Sequence, residues 1–418
     1  MAKHAVLSPS SAKRWMSCPG SVALSEGLQD TSSTFAEEGT AAHFLASYCL
    51  VSGENAAAHL GRCILLLVHG LTGEHTELFE CDTPDADESP YRTLSRFAVD
   101  GDMADNVQVY LDYVRDVQRA TDGELLVEVS VPLDHITGEE GACGTSDAVI
   151  VTSDELIVID LKFGRGVEVD ATQNPQLLMY ASGARKLFDI GANFTTVRVA
   201  ISQPRITHAP SEWSCSSEDL DAFESEVLQA SAKASAMACG AAPLAFEPST
   251  EACRWCKAKA KCKALEDFVA EGIAADFDEV LTQGVALPAA ADLSQKMMCL
   301  DLIEDWCKAV RGAVESELLH GRPVEGYKLV QGRQGARAWT AEEEAEAALK
   351  GLKVKAALMY KRKLISPTDA EKLLKGDVKW DKLQKYITRA EGRPSVAPAS
   401  DKRPALVIEP TADDFDVV

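Results

Sequence analysis

Asp147, Asp160 and Lys162 stand in the order D…D-x-K, and a turn centred on Ser153-Asp154 sets the two aspartates opposite one another in an antiparallel hairpin. Residues paired that way hold their β-carbons about 5 Å apart, close enough for both carboxylates to share one divalent cation. Lys162 follows Asp160 by two residues and so points to the same face. Oxygen ligands hold Mg²⁺ while leaving positions for water and a phosphate oxygen. A neighbouring lysine orients or helps deprotonate the attacking water and offsets developing charge. This is chemistry for cutting a phosphodiester. The same spacing also occurs in ordinary hairpins with a surface ion pair. Here, however, Asp160 closes the apolar run Leu156-Ile157-Val158-Ile159, which reads as a buried strand, where a carboxylate is costly unless it binds something.

Other residues converge on this set. Gln176 and Tyr180 share one face of the next predicted helix and can reach a phosphate or the lysine. Glu128, a carboxylate among valines, points to a further ligand or a group supporting one. His43 lies on a helix of small residues, Gly39 to Ala42, which leaves the imidazole room to approach a metal.

A second set is made of cysteines. Cys253, Cys256 and Cys262 have the spacing C-x2-C-x5-C, with Cys18 far upstream. Four thiolates suffice for a structural zinc or an iron–sulfur cluster. Zinc usually shows two C-x2-C pairs, and this chain has one. Arg254, Lys257, Lys259, Lys261 and Lys263 crowd these cysteines around Trp255. Such a segment can follow a single strand by phosphate contact and base stacking, or it can offset the charge of the centre. Cys49, Cys63, Cys81, Cys143, Cys215, Cys239, Cys299 and Cys307 lack ligand spacing and are expected to be buried small hydrophobes.

The elements that must position these groups follow from periodicity and punctuation. Ser8-Pro9 opens a short helix that ends at Cys18-Pro19-Gly20. A second helix is expected from about Thr34 to Leu50, and residues 56–120 read as mostly helical with an acidic loop near Asp82 to Ser89. Strands follow at Leu125–Leu133, Ser146–Thr152 and Leu156–Lys162, then a helix from Asn174 to Leu187 and a strand at Thr196–Ser202. The result is an α/β core, with an alanine-rich helix at 217–240 leading to the cysteines. Beyond about residue 285, helices near 292–318 and 341–350 flank a short strand at Tyr327–Val330, and a basic helical piece, Lys353 to Lys363, comes next. The stretch from Arg393 is expected to be extended or disordered, ending in Asp413-Asp414-Phe415-Asp416. The organisation is then 1–284, 285–392 and 393–418.

Gly144-Thr145-Ser146-Asp147, Val158-Ile159-Asp160-Leu161-Lys162 and Gln176-x-x-x-Tyr180 resemble the successive motifs of RecB-like nucleases of the PD-(D/E)XK superfamily, and Gly39 to His43 resembles their first motif. The resemblance covers about residues 5–270. It implies a restriction-endonuclease-like core, a central mixed sheet flanked by helices, with a mostly helical region after it. It also implies that His43, Asp147, Asp160 and the Leu161 carbonyl bind Mg²⁺ or Mn²⁺, that Lys162 is catalytic, and that Gln176 and Tyr180 contact DNA or position the site. Glu128 matches less closely. The opening Leu7-Ser8-Pro9-Ser10-Ser11 with Cys18-Pro19-Gly20 resembles an uncharacterised phage and prophage group of such nucleases. One cysteine before the core and three after it resemble the [4Fe–4S] staple of AddB-type and CRISPR-associated adaptation nucleases, with structural Zn²⁺ as the alternative. The implied activity is an exonuclease acting on DNA ends in recombination or replication. The alternatives are a structure-specific endonuclease or a non-catalytic DNA-binding protein on the same scaffold. The separate helical texture, basic segment and acidic-aromatic tip of the C-terminal third point either to a module that guides DNA or docks a partner such as a single-strand annealing or single-strand-binding protein, or to a solubilising tail with no partner.

Composition sets outer limits. The 418 residues are 46% hydrophobic, enough for a real core, and the net charge of −23 argues against coating nucleic acid by bulk electrostatics. A local basic groove remains compatible with it. The start has no apolar signal segment, and the run Ile64 to Val68 is too short to span a bilayer, so a cytoplasmic protein without a membrane partner is expected. Neither G-x-G-x-x-G after a strand nor a Walker lysine motif occurs, which leaves dinucleotide and ATP chemistry without a seat.

Overall fold

Valine, isoleucine and leucine dominate the segments that build the central sheet, and polar turns separate them. In the computed structural model, the described residues are 3–28, 34–69, 75–80, 91–188, 193–270, 290–331, 338–360, 364–374, 380–388, 394–398 and 404–405. The chain divides into two compact units, Met1–Asp305 and Trp306–Val418. The boundary expected near residue 285 lies outside the described residues.

The first unit holds strands β1 (Lys3–His4), β2 (Cys63–His69), β3 (His75–Phe79), β4 (Tyr91–Ala98), β5 (Glu124–Pro132), β6 (Ala142–Val151), β7 (Glu155–Leu161), β8 (Thr196–Ser202) and β9 (Ser211–Ser216). Its helices include α1 (Ala12–Ser17), α2 (Gly20–Ser25), α3 (Thr34–Ser52), α4 (Gly101–Thr121), α5 (Asp134–Thr137), α6 (Pro175–Phe188), α7 (Ser217–Ala238) and α8 (Thr250–Arg254). The central sheet is mixed: β5, β6 and β7 are antiparallel, β7 and β8 are parallel across α6, and β9 closes the edge antiparallel to β8. On β6, β5 takes one edge, while β7 and the parallel β1 share the other.

Both faces of this sheet are covered, which explains the continuous apolar run in β7. Leu156 and Val158 pack with α1, α6 and α7, whereas Ile157, Ile159 and Leu161 pack with α3 and α4. Asp100 caps α4, its carboxylate accepting from the Met103 N–H at 2.8 Å, and Ser216 with Asp219 forms a capping box on α7.

Residues 56–120 depart from the helical expectation. After a short 3₁₀ turn at Ala56–His59 they form a three-stranded antiparallel sheet, β3-β2-β4, and only α4 is a long helix. The apolar run of β2 carries no alternation, and β4 is largely polar because most of its residues face outward, so neither has a clear period. The acidic loop at 82–89 lies outside the described residues. Of the cysteines expected to be buried, Cys49 and Cys215 are, but Cys239 is exposed, Cys63, Cys143 and Cys307 are half-buried, and Cys81 and the side chain of Cys299 lie outside what is described. Cys239 ends up in solvent because it sits at the C-terminal end of α7, where that helix leaves the core.

In the second unit, β10 (Tyr327–Gln331) pairs with Pro394–Pro398, and Ala338–Trp339 pairs with Ile387–Thr388. A small core of Leu349, Met359 and Leu383 gathers partly buried groups that include Trp339 and Trp380. The basic helical piece expected at Lys353–Lys363 is a single turn, Ala356–Met359. Lys353 has φ 58°, a left-handed backbone that halts the preceding helix, and 361–363 lie outside the described residues. The expected acidic-aromatic tip, 413–416, is outside them as well. Among the described residues no helix is long and apolar enough to cross a membrane.

Candidate active site and cysteine centre

The β6–β7 hairpin turns at Ser153-Asp154, where Thr152 and Glu155 are joined by a Thr152 N–H to Glu155 carbonyl bond of 3.0 Å. The ladder then runs from Val151 opposite Leu156 to Ala148 opposite Ile159, so Asp147 and Asp160 occupy the next facing positions. On the other edge of β6, Val127 faces Ala148 and Val129 faces Ser146, with Glu128 and Asp147 unladdered between them. Three neighbouring strands thus present Glu128, Asp147 and Asp160 in one row. Glu128 has φ 51°, a left-handed conformation that a non-glycine strand residue rarely adopts. This kink breaks the ladder where the row crosses it.

His43 reaches the row from α3. Ala41 and Ala42 are fully buried, so α3 packs closely on the sheet. Arg205 fixes its start with two bonds to the Glu38 carboxylate, 2.9 and 2.7 Å, and a further contact to Asp102. His43 Nδ1 lies 3.2 Å from Asp147 Oδ1, while Asp147 Oδ2 accepts the Leu161 N–H at 2.7 Å. One ligand atom each from His43, Glu128 and Asp147 lie within 4.8 Å of one another. On the α6 side, Lys162 Nζ is 2.9 Å from Asp160 Oδ2. Gln176 ties both together: its amide donates to Asp160 Oδ1 at 3.1 Å and its carbonyl accepts from Lys162 at 3.1 Å. Tyr180, one turn on, is buried, and its ring rests against Gly144, where a β-carbon would come within 3.0 Å of it. That close approach is a physical reason for glycine in Gly144-x-x-Asp147.

The charges sort themselves by environment. Burial opposes an imidazolium at His43, yet the Asp147 and Asp160 carboxylates outweigh it and lift the group to about 9. Asp147 is held below the usual carboxylate range: burial works against it, but His43, the Leu161 N–H and Lys162 win. Asp160 is pushed up, mainly by its own burial and then by Asp147. Glu128, though solvent-exposed as a residue, is lifted to about 7 by desolvation of its carboxyl and the charge of Asp147. Lys162 stays cationic, because Asp160 and Asp147 overcome its burial. Clustered carboxylates with opposed shifts beside an imidazole are a donor set that fits a hard divalent cation, whose charge would displace the His43 proton.

Two further positioning groups carry no motif. Arg205 clamps α3 as described. Gln203 is buried and braces the loop after Lys162, donating to the Gly164 and Val167 carbonyls at 3.1 and 2.8 Å and accepting the Val169 N–H at 3.0 Å. Their only sequence signal is that polar residues directly follow the apolar strand β8.

The cysteines converge too. Cys18, Cys253, Cys256 and Cys262 line one small cavity with Ser21, Leu24, Phe246 and Leu265. Cys18 follows α1, and its sulfur accepts the Glu247 N–H at 3.4 Å. Burial raises the Cys18 and Cys253 thiols, and neighbouring thiol groups add to it. A cation or cluster reverses that logic by favouring the thiolates. Gly20 seals the junction: its N–H donates to the Ala245 carbonyl at 3.0 Å, and a β-carbon there would sit 2.4 Å from that oxygen.

In the basic segment, Trp255 is 75% exposed, and Lys257 and Lys261 are exposed. Arg254 is half-buried. Lys259 is half-buried, lines the cysteine cavity and bonds the Arg254 carbonyl at 2.6 Å, so it is engaged inside the loop. Lys263 pairs with Glu266 and Asp267.

Residues 4–404 match the model of a family described as "Protein of unknown function (DUF2800)". The chain belongs to that family. The match takes in both units and every residue of the two sites, so the carboxylate row and the cysteine cavity lie within the family's own extent.

Proposed function

We propose that this chain is a metal-dependent deoxyribonuclease with a PD-(D/E)XK core, acting as an exonuclease on DNA ends. The observation that carries the reading is the joining of Lys162 to Asp160 and Gln176 beside the His43, Glu128 and Asp147 cluster. His43, Asp147, Asp160 and the Leu161 carbonyl are the ligands in this reading, with Glu128 beside them. A bound Mg²⁺ or Mn²⁺ supplies Lewis-acid polarisation of the phosphate and a more acidic water. Lys162 holds its ammonium at the mouth of the site, where it orients the nucleophilic water and offsets charge on the phosphate oxygens. Gln176 keeps that ammonium and the Asp160 carboxylate in register. Tyr180 presses on the same helix face and fixes Gln176 in turn.

The cysteine cavity, with four sulfur donors and a backbone N–H aimed at one of them, fits a tetrathiolate centre, a [4Fe–4S] cluster in preference to zinc, since the sequence has one C-x2-C pair and not two. It closes the domain. Exposed Trp255 with Lys257 and Lys261 offers a stacking and phosphate-binding edge for single-stranded DNA. Incubating the pure protein with end-labelled linear DNA and closed circular DNA, each with Mg²⁺ or Mn²⁺, tests the reading. Loss of the linear substrate alone is expected. Attack on the circle makes it an endonuclease, and no cutting of either rejects the activity.

A further inference from the structure

Tyr110 belongs to no motif, and nothing in its sequence neighbourhood on α4 marks it. The structure buries it to 1% exposure on the face of α4 that packs against the sheet, and its hydroxyl has no hydrogen-bond partner among the described residues. Most tyrosines that deep pair their hydroxyl, because an unpaired buried O–H carries its full desolvation cost. The surroundings say where the missing partner belongs. Tyr110 lines the same small cavity as His43, Glu128, Asp147 and Leu161. Ala46, Ser47 and Leu50 complete that wall; the Ser47 hydroxyl is already turned to the Phe44 carbonyl, to which it donates at 3.0 Å.

We propose that Tyr110 is a positioning residue for the divalent cation, its hydroxyl donating a hydrogen bond to a carboxylate oxygen of the ligand Asp147 or of Glu128 beside it when the site closes on the ion. This rests on the metal-site reading above and extends it to a group on a different helix. Burial, together with the negative field of Asp147, Asp160 and Glu128, holds the phenol well above its ordinary range, so it remains an O–H donor. The hydroxyl that the chain's own described groups leave unpaired is the one the loaded site uses.

Two opposite signatures follow for Tyr110→Phe, which keeps the ring and removes only the oxygen. Without metal, the variant melts at or above the wild-type temperature, since an unpaired polar group has gone. With Mn²⁺ alone as the probe, titrated into the full-length protein by calorimetry, its dissociation constant rises about 10- to 100-fold, the usual cost of losing a group that orients a metal ligand. Combining it with Glu128→Gln localises the effect: coupling through Glu128 makes the double variant bind no more weakly than Glu128→Gln alone, whereas additive losses assign the bond to Asp147. A purely structural tyrosine would instead lower the metal-free melting temperature and leave Mn²⁺ affinity within twofold of wild type, and that result overturns the proposal. If the wild-type protein itself takes up no Mn²⁺, the metal-site reading fails first and takes this one with it.

Discussion

The carboxylate row and the cysteine cavity are built by opposite strategies. Glu128, Asp147, Asp160 and Lys162 come from three consecutive strands, and one tight turn plus strand register brings the two aspartates together. The cysteines come from the two ends of the same unit, and their meeting depends on the α1–α2 junction docking on residues 245–247. One site is assembled by local pairing and the other by long-range closure. Damage to the first should cost chemistry and leave the fold, while damage to the second should cost the fold and, through it, everything else.

The largest expected effect is on cutting. Asp160→Ala and Lys162→Ala should each lower the rate of DNA cleavage by about 10² or more, with circular dichroism unchanged. Near wild-type activity in either variant would dissolve the assignment of this site. Next comes the closure. Anaerobically purified protein should carry about four irons per chain for a cubane cluster, and Cys18→Ser should lose them along with thermal stability. Stoichiometric zinc without iron would keep the contrast between the sites and change the metal. Gly20→Ala should show the same loss of stability without touching a ligand, because its β-carbon meets the Ala245 carbonyl. Overpacking of that kind costs about 1–3 kcal/mol, readable in a urea titration, and an unchanged midpoint would mean that the junction yields freely.

The smallest effect is one of pH. Glu128 is lifted to about 7 in the fold. A carboxyl raised on folding contributes stability that is complete below its unfolded value and is lost as pH climbs through the folded one. In chelator, the melting temperature of Glu128→Gln relative to wild type should therefore rise between pH 5 and 8. A flat difference over that range would show that Glu128 is not held against the other carboxylates.

How much of this was readable in the chain depended on whether the signal was local. The β6–β7 hairpin could be registered from Ser153-Asp154 and the flanking valines and isoleucines, and Ser216 with Asp219 marks the start of α7 as a capping box. The β2–β4 sheet did not, since an unbroken leucine run fits a buried helix or a buried strand equally. Tyr110, Gln203 and Arg205 were illegible for another reason. Each acts through a neighbour that is distant in sequence, and a tyrosine on an amphipathic helix looks like any core residue until the sheet beneath it is known. The backbone kink at Glu128 was also hidden, because no glycine flags it.

Chain order gives the cysteine closure a temporal meaning. Cys18 is made early and Cys253, Cys256 and Cys262 late, so every residue of the carboxylate row leaves the ribosome between the two halves of the clasp. A nascent chain can pair β5, β6 and β7, and so set out its acidic row, well before residues 245–262 exist to hold α1 and α2 in place. In the proposed reading, full rigidity of the unit then coincides with near-completion of its synthesis and with the filling of the cysteine cavity. A truncated product ending before the C-x2-C-x5-C segment would carry the whole carboxylate row and Lys162 on a scaffold that cannot be clasped shut.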